Sequence, residues 1–223
     1  GSQDSLLAGT QTSNVRTSQG SIYINVNEPD LLPTYGDYVE LELSASSSTL
    51  DSSPLSWSVN SDTVPAGLEI LDSPDSRVII FGTPQFEGTW CFGISVSQTK
   101  TNGSEFGGRE VCVYSQENKN LRYPKFLKKP IDRYLPDAVV NQIYQQFLAI
   151  DTQSINTALL SAEILSNQLP LGLTGSFDQN RNHFKVQGRP VTESILRFVA
   201  KIQDSTNATT YKQFQLAVIP KAI

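Results

Sequence analysis

Apolar and polar residues alternate with period two along this chain, in short runs punctuated by Gly, Pro, Asp and Asn. Trp90, Phe92, Ile94 and Val96 alternate with smaller or polar residues, and Leu196, Phe198, Ala200 and Ile202 do the same. A period of two places successive side chains on opposite faces of a strand, so each run predicts a strand with one buried face. Ser21–Val26 is the first such run, and Glu110–Tyr114 and Phe214–Val218 close the two halves. About seven short strands per half, separated by turn signals, predict β-sandwiches. One segment pulls the other way: Thr157–Asn167, TALLSAEILSN, reads locally as a helix.

The runs belong to an internal repeat, which decides that conflict. VPAGLEI at Val64–Ile70, FGTP at Phe81–Pro84 and TWCFGISVS at Thr89–Ser97 are answered by LPLGLTG at Leu169–Gly175, QGRP at Gln187–Pro190 and ILRFVAKIQ at Ile195–Gln203. The offset is 105 residues at the first motif and 106 at the second. A further match runs from Leu31 (LLPTYGDYVELEL) and from Tyr134 (YLPDAVVNQIYQQFLAI), with offsets of 103 at the proline and 106 between Tyr38 and Tyr144. Proline fixes φ and removes a ladder donor, while Gly67 and Gly172 permit φ > 0. Each Pro-x-Gly-Leu therefore ends one strand and aims the next leucine, Leu68 or Leu173, into a core. The register of the repeat places Thr157–Asn167 opposite Leu55–Asn60 and predicts a strand there, since tertiary context often overrides local propensity.

Composition agrees: of 223 residues only 17% are charged and 38% are hydrophobic. No run approaches the ~18 apolar residues of a membrane span. The net charge of −5 hides an asymmetry, with 14 acids against 4 bases in residues 1–116 and 8 against 13 in residues 117–223. Opposite signs suggest two separately built units. The expected organisation is a polar leader over residues 1–20, one sandwich over 21–123 and a second over 124–223.

Both cysteines, Cys91 and Cys112, fall in the first half, on the Thr89–Ser97 and Glu110–Tyr114 strands. A hairpin turning at Thr101–Asn102 sets them opposite each other, where antiparallel geometry accepts a disulfide. The alternative is two buried thiols. The bridge would close a 22-residue loop and contribute about 3 kcal/mol on a chain-entropy argument. It implies the periplasm, the cell surface or secretion.

The ordered series Leu-Pro…Tyr, Pro-x-Gly-Leu, Gly-x-Pro and an aromatic-rich alternating strand resembles bacterial immunoglobulin-like domains related to the dystroglycan-type cadherin-like domains. The likeness covers about residues 28–116 and 130–220, with the second copy more divergent: Arg189 replaces the usual small residue, and Glu193-Ser194 stand where a Gly is expected. The resemblance implies two tandem immunoglobulin-like (cadherin-like) β-sandwiches, modular surface architecture and no conserved active site.

No catalytic constellation stands out. The single histidine, His183, sits beside Phe184 without a Gly-x-Ser-x-Gly nucleophile motif and reads as a surface or rim residue. Asp37, Glu40 and Glu42, and Asp72 with Asp75, read as solvated faces and turns, because calcium needs six to eight oxygens. No cofactor and no metal are expected. Asn102-Gly-Ser104 and Asn207-Ala-Thr209 match the glycosylation sequon but read as hairpin turns. The chemically distinctive stretch is the connector, where Lys119, Arg122, Lys125, Lys128, Lys129 and Arg133 give +4 over residues 117–133, with Tyr123, Phe126 and Tyr134 interleaved. It suits an anionic glycan or a membrane surface, or simply contact between domains. Nucleic acid is disfavoured by a pI near 4.9.

The function expected is a non-enzymatic adhesion or interaction module at the cell surface or in the periplasm, with a protein or glycan partner. Any membrane attachment would come through a lipid anchor outside this sequence. The alternatives are a carbohydrate-binding accessory region of an exported hydrolase, and a self-associating structural subunit of an envelope assembly.

Overall fold

The computed structural model describes residues 19–26, 32–61, 63–71, 77–127, 133–151, 160–165 and 169–223. The chain divides into two compact units, Gly1–Asn118 and Lys119–Ile223. Among the described residues the only regular structure is β.

The first unit contains β1 (Gln19–Gly20), β2 (Tyr23–Val26), β3 (Val39–Ser46), β4 (Leu55–Ser61), β5 (Leu68–Leu71), β6 (Arg77–Gly82), β7 (Gly88–Lys100) and β8 (Gly103–Ser115). They form two four-stranded sheets, β2-β3-β6-β5 and β1-β8-β7-β4. The second unit contains β9 (Lys125–Phe126), β10 (Ala138–Val139), β11 (Tyr144–Asp151), β12 (Ser161–Ile164), β13 (Leu173–Asp178), β14 (His183–Gly188), β15 (Ser194–Gln203) and β16 (Thr209–Ile219). Its sheets are β9-β11-β14-β13 and β10-β16-β15-β12. Among the described residues all pairings between strands are antiparallel except one, in which β10 runs parallel to the last strand, Ala138 opposite Val218. The first unit has the same feature as an isolated parallel bridge between Thr34 and Gln116. Two packed antiparallel sheets whose leading segment crosses to run parallel with the final strand define the immunoglobulin-like sandwich.

The alternation read from sequence is what fills each core. Trp90, Phe92, Ile94, Val96, Val111 and Val113 are buried with Ile24, Leu41, Leu43, Val78, Ile80 and Phe86 of the other sheet's side. Phe86 meets Trp90 edge-on at 5.5 Å, and the Trp90 indole N–H donates to the Thr63 carbonyl at 3.0 Å. The second core centres on Phe214, stacked on Phe198 at 5.5 Å and met edge-on by Phe126 at 5.4 Å. Burying side chains of this size contributes about 1.5–3 kcal/mol each.

The repeated Pro-x-Gly-Leu and Gly-x-Pro motifs form one device, built twice. Gly82 faces Leu68 across β5 and β6, and Gly188 faces Leu173 across β13 and β14. The Thr83 N–H donates to the Gly67 carbonyl at 3.1 Å, and the Arg189 N–H to the Gly172 carbonyl at 3.0 Å. A Cβ on Gly67 would lie 2.0 Å from the Thr83 oxygen, and one on Gly172 2.1 Å from the Arg189 oxygen. Two chain segments thus touch backbone to backbone, at positive φ, where a side chain cannot fit.

The matching of Tyr38 with Tyr144 is off by one residue. Val39 and Tyr144 occupy equivalent places, opposite Gly82 and Gly188. Tyr38 is 63% exposed, as is its true counterpart Ile143 at 80%, whereas Tyr144 is buried. The turn before them explains the slip: Gly36 donates to the Pro84 carbonyl and Asn141 to that of Pro190, both at positive φ. Pairing Gly36 with Asn141 sets the local offset at 105 residues. The segment with helical character contains β12 at Ser161–Ile164, where Ala162 faces Ile202 as Trp57 faces Val96. Residues 157–159 and 166–167 lie outside those described.

Candidate interaction face

Cys91 and Cys112 face each other across β7 and β8 and are disulfide-bonded. Direct opposition follows from the hairpin turn, which pairs Lys100 with Gly103 and so fixes every pair behind it. The bridge lies on the face of the sheet opposite Trp90 and Phe92, yet both sulfur-bearing residues are fully buried. A Glu110 carboxylate oxygen approaches Cys112 Sγ at 3.5 Å. Oxidised sulfur offers no thiolate to a metal ion, so this trio is not a metal centre while the bridge stands.

Four of the connector's six basic residues are described: Lys119, Arg122, Lys125 and Arg133. Lys119 and Arg122 are exposed, and Lys125 is half-buried with its ammonium 4.6 Å above the Tyr123 ring. Arg133 turns inward: it is 4% exposed, lies 5.0 Å from the Tyr134 ring and points Nη2 at Gln215 Oε1 at 3.4 Å. Its planar fork finds an amide and an aromatic face there. Lys128 and Lys129 lie outside the described residues.

A second polar group ties the β3–β4 loop of the first unit to its β7–β8 hairpin. The Gln98 amide donates to the carbonyls of Asp51 at 3.2 Å and Ser53 at 2.7 Å. Glu105 accepts from the Thr49 and Ser47 hydroxyls and pairs with Lys100 at 2.9 Å. The Thr49 hydroxyl, and after it the Lys100 ammonium, hold the Glu105 carboxyl below the usual carboxylate range. The Ser53 backbone N–H does the same for Asp51. Asp37, Glu40 and Glu42 sit apart from this group, on the outer face and lead-in of β3. Asp72 and Asp75 lie outside the described residues.

The outer face of the β9-β11-β14-β13 sheet carries the most varied chemistry. Register sets the outward side chains of β11, β14 and β13 in three rows, with Asp151 beside Lys125 at the β9 edge. Thr174 stands beside Gln187 and Gln145, Ser176 beside Lys185 and Phe147, and Asp178 beside His183 and Ala149. Phe147 is 41% exposed, and its ring lies 4.7 Å from that of His183 with the planes tilted by 39°. His183 Nε2 is 3.9 Å from an Asp178 oxygen, which also pairs with Arg181 at 3.8 Å. The other Asp178 oxygen accepts the N–H groups of Asn180 and Arg181, so this carboxylate shapes the β13–β14 turn. His183, expected at a surface or rim, thus lies on the solvent side of a sheet. Phe147 escaped the sequence reading because its outward position is set by the strand's phase, one residue from Leu148 in the core.

At the equivalent positions the first unit presents Glu69, Phe81 and Glu40, then Leu71, Ile79 and Glu42. Arg77 pairs there with Glu42 at 3.7 Å, and the Tyr38 hydroxyl donates to Glu40 at 3.0 Å.

No family model matches the chain, and no curated protein does. Among solved structures it is similar to an endo-fucoidan hydrolase from glycoside hydrolase family 107, at 19% identity over 85% of this chain, with a TM-score of 0.38. The chain spans only 27% of that enzyme's length. A tandem of titin immunoglobulin domains is similar at 9% identity, covering 92% of this chain and 99% of the titin chain, with a TM-score of 0.35. A protocadherin gammaB7 cis-dimer structure follows at 11% identity, covering 91% and 51%, with a TM-score of 0.36. The class of the protein rests on its own strand order and crossover: two tandem immunoglobulin-like β-sandwiches.

Proposed function

We propose that this protein is a non-enzymatic interaction module of the cell surface or another oxidising compartment, of the bacterial dystroglycan-type cadherin-like kind. The observation that supports this reading is the contrast between backbone and surface. The two units repeat the same glycine lock almost atom for atom, while the equivalent solvent faces carry unrelated chemistry. A scaffold held constant while its faces diverge suits recognition, where specificity resides in surface side chains. The Cys91–Cys112 bridge adds the compartment, because such bonds persist outside reducing cytosol.

Two measurements test the reading. Protein taken from its native compartment and denatured without reductant should show no thiol that reacts with maleimide. Two reactive thiols would overturn the localisation. Incubation with polysaccharides and peptides should release neither reducing ends nor amines, and turnover of either kind would overturn the non-enzymatic assignment.

A further inference from the structure

We propose that the outer face of the β9-β11-β14-β13 sheet binds an anionic glycan, with Phe147 as the stacking platform and Lys185 as the anchor for a sulfate or uronate group. The proposal rests on the reading of the chain as an interaction module and names the ligand class of one face.

Three features of the grid select this ligand. Phe147 is an aromatic ring exposed on the outer face of the sheet, and the His183 ring 4.7 Å away supports one flank of it. A pyranose presents an apolar C–H face to such a ring and turns its hydroxyls sideways. Beside the ring lie Gln145, Gln187, Thr174 and Ser176, exposed or half-buried. Their amides and hydroxyls both donate and accept, which matches hydroxyl groups that do the same. Lys185 stands directly opposite Phe147, and the carboxylate nearest it in the grid, Asp178, is engaged by Arg181 and His183. A cation beside the platform favours acid-bearing sugars over neutral ones.

A protein partner fits this face less well. Protein interfaces concentrate apolar area at their centre and are depleted of charged residues there. Here the Phe147 and His183 rings stand among amides, hydroxyls, the Lys185 ammonium and the Asp178 carboxylate. The first unit's equivalent face serves as an internal control, since Glu40, Glu42 and Glu69 would repel an anionic chain.

The test uses the full chain, with alginate as the uronate probe, dextran sulfate as the sulfate probe and unmodified dextran as the neutral one, in affinity electrophoresis and calorimetry. The wild-type protein is expected to bind at least one anionic probe and to ignore dextran. Phe147→Ala should weaken that binding by about tenfold, the scale of one aromatic stacking contact, and Phe147→Tyr should retain it. Lys185→Glu should weaken it several-fold, with Lys185→Arg restoring it, and Tyr38→Ala on the first unit should leave it unchanged. Absence of binding to both anionic probes, or binding that survives Phe147→Ala, overturns the proposal. Neither result bears on the broader interaction reading, which fails on a different signal: reducing ends released from these polysaccharides by the wild-type chain.

Discussion

The two units of this chain solve the same architectural problem with different materials. Both clamp the end of their β5–β6 or β13–β14 pair with glycines that touch carbonyl oxygens. Around that clamp almost everything else has been exchanged. Where the first unit has Ile70 facing Ile80, the second has Gly175 facing Val186. The missing volume is returned by Phe184, whose ring would lie 2.6 Å from a Cβ on Gly175; the first unit has Val78 at that place. Where the first unit has its Cys91–Cys112 pair, the second pairs Arg197 with Gln215, a contact of 3.5 Å between Nε and Oε1. The lesson is that a backbone-to-backbone contact tolerates one residue only, whereas a packed volume or a surface pair can be met in several ways.

The sharpest way to break the comparison is to attack what the units share. Gly67→Ala and Gly172→Ala should each destabilise their own unit by roughly 3 kcal/mol or more, through a clash with backbone plus strain at positive φ. Denaturant unfolding can follow the units separately, because Trp57 and Trp90, the only tryptophans, both lie in the first unit. Equal losses support the shared device; a silent substitution in either unit would break the equivalence. Next comes a feature only one unit has. Reducing Cys91–Cys112 should cost the first unit about 3 kcal/mol and lower the midpoint of the tryptophan transition. The circular dichroism transition of the second unit should not move.

The volume exchange can be tested by reversing it. Gly175→Ala should cost about 1–3 kcal/mol by overpacking, and much of that should return in the double variant with Phe184→Val, read as a coupling energy. The smallest expected effect concerns pH. Burial raises the Tyr144 hydroxyl to about 12, and this hydroxyl donates to the Pro136 carbonyl at 2.9 Å. The raised value favours the neutral form in the folded state. Its stabilising contribution is therefore complete below the ordinary tyrosine range near 10 and is lost as pH rises toward 12. The second unit should loosen over that interval, and Tyr144→Phe should remove the slope. In the first unit, Val39 occupies the equivalent place and no such slope arises from it.

Much of this was legible in the residues. Period-two alternation located the long strands, and the repeated Pro-x-Gly-Leu and Gly-x-Pro motifs found both sandwiches. The hairpin arithmetic set Cys91 opposite Cys112, and the structure joins them in a disulfide. These features are local: each depends on the pleat of one strand or the turn between two neighbours. The same locality explains the error at Tyr38, where residue identity matched but the phase of the strand did not. A slip of one residue sends a side chain to the other face, and only the ladder opposite Gly82 and Gly188 reveals the phase.

What the sequence determined by itself was the two-fold repeat, the fold class and the opposition of Cys91 to Cys112, because backbone chemistry at Gly, Pro and alternating positions admits few conformations. What only the tertiary structure decided was the surface. It turned Arg133 inward onto Gln215 and Tyr134, and assembled Phe147, His183 and Lys185 from two strands some 36 residues apart in the chain. Adjacency across a sheet depends on register between distant segments, and register is set by cooperative burial of both faces, not by any one segment alone.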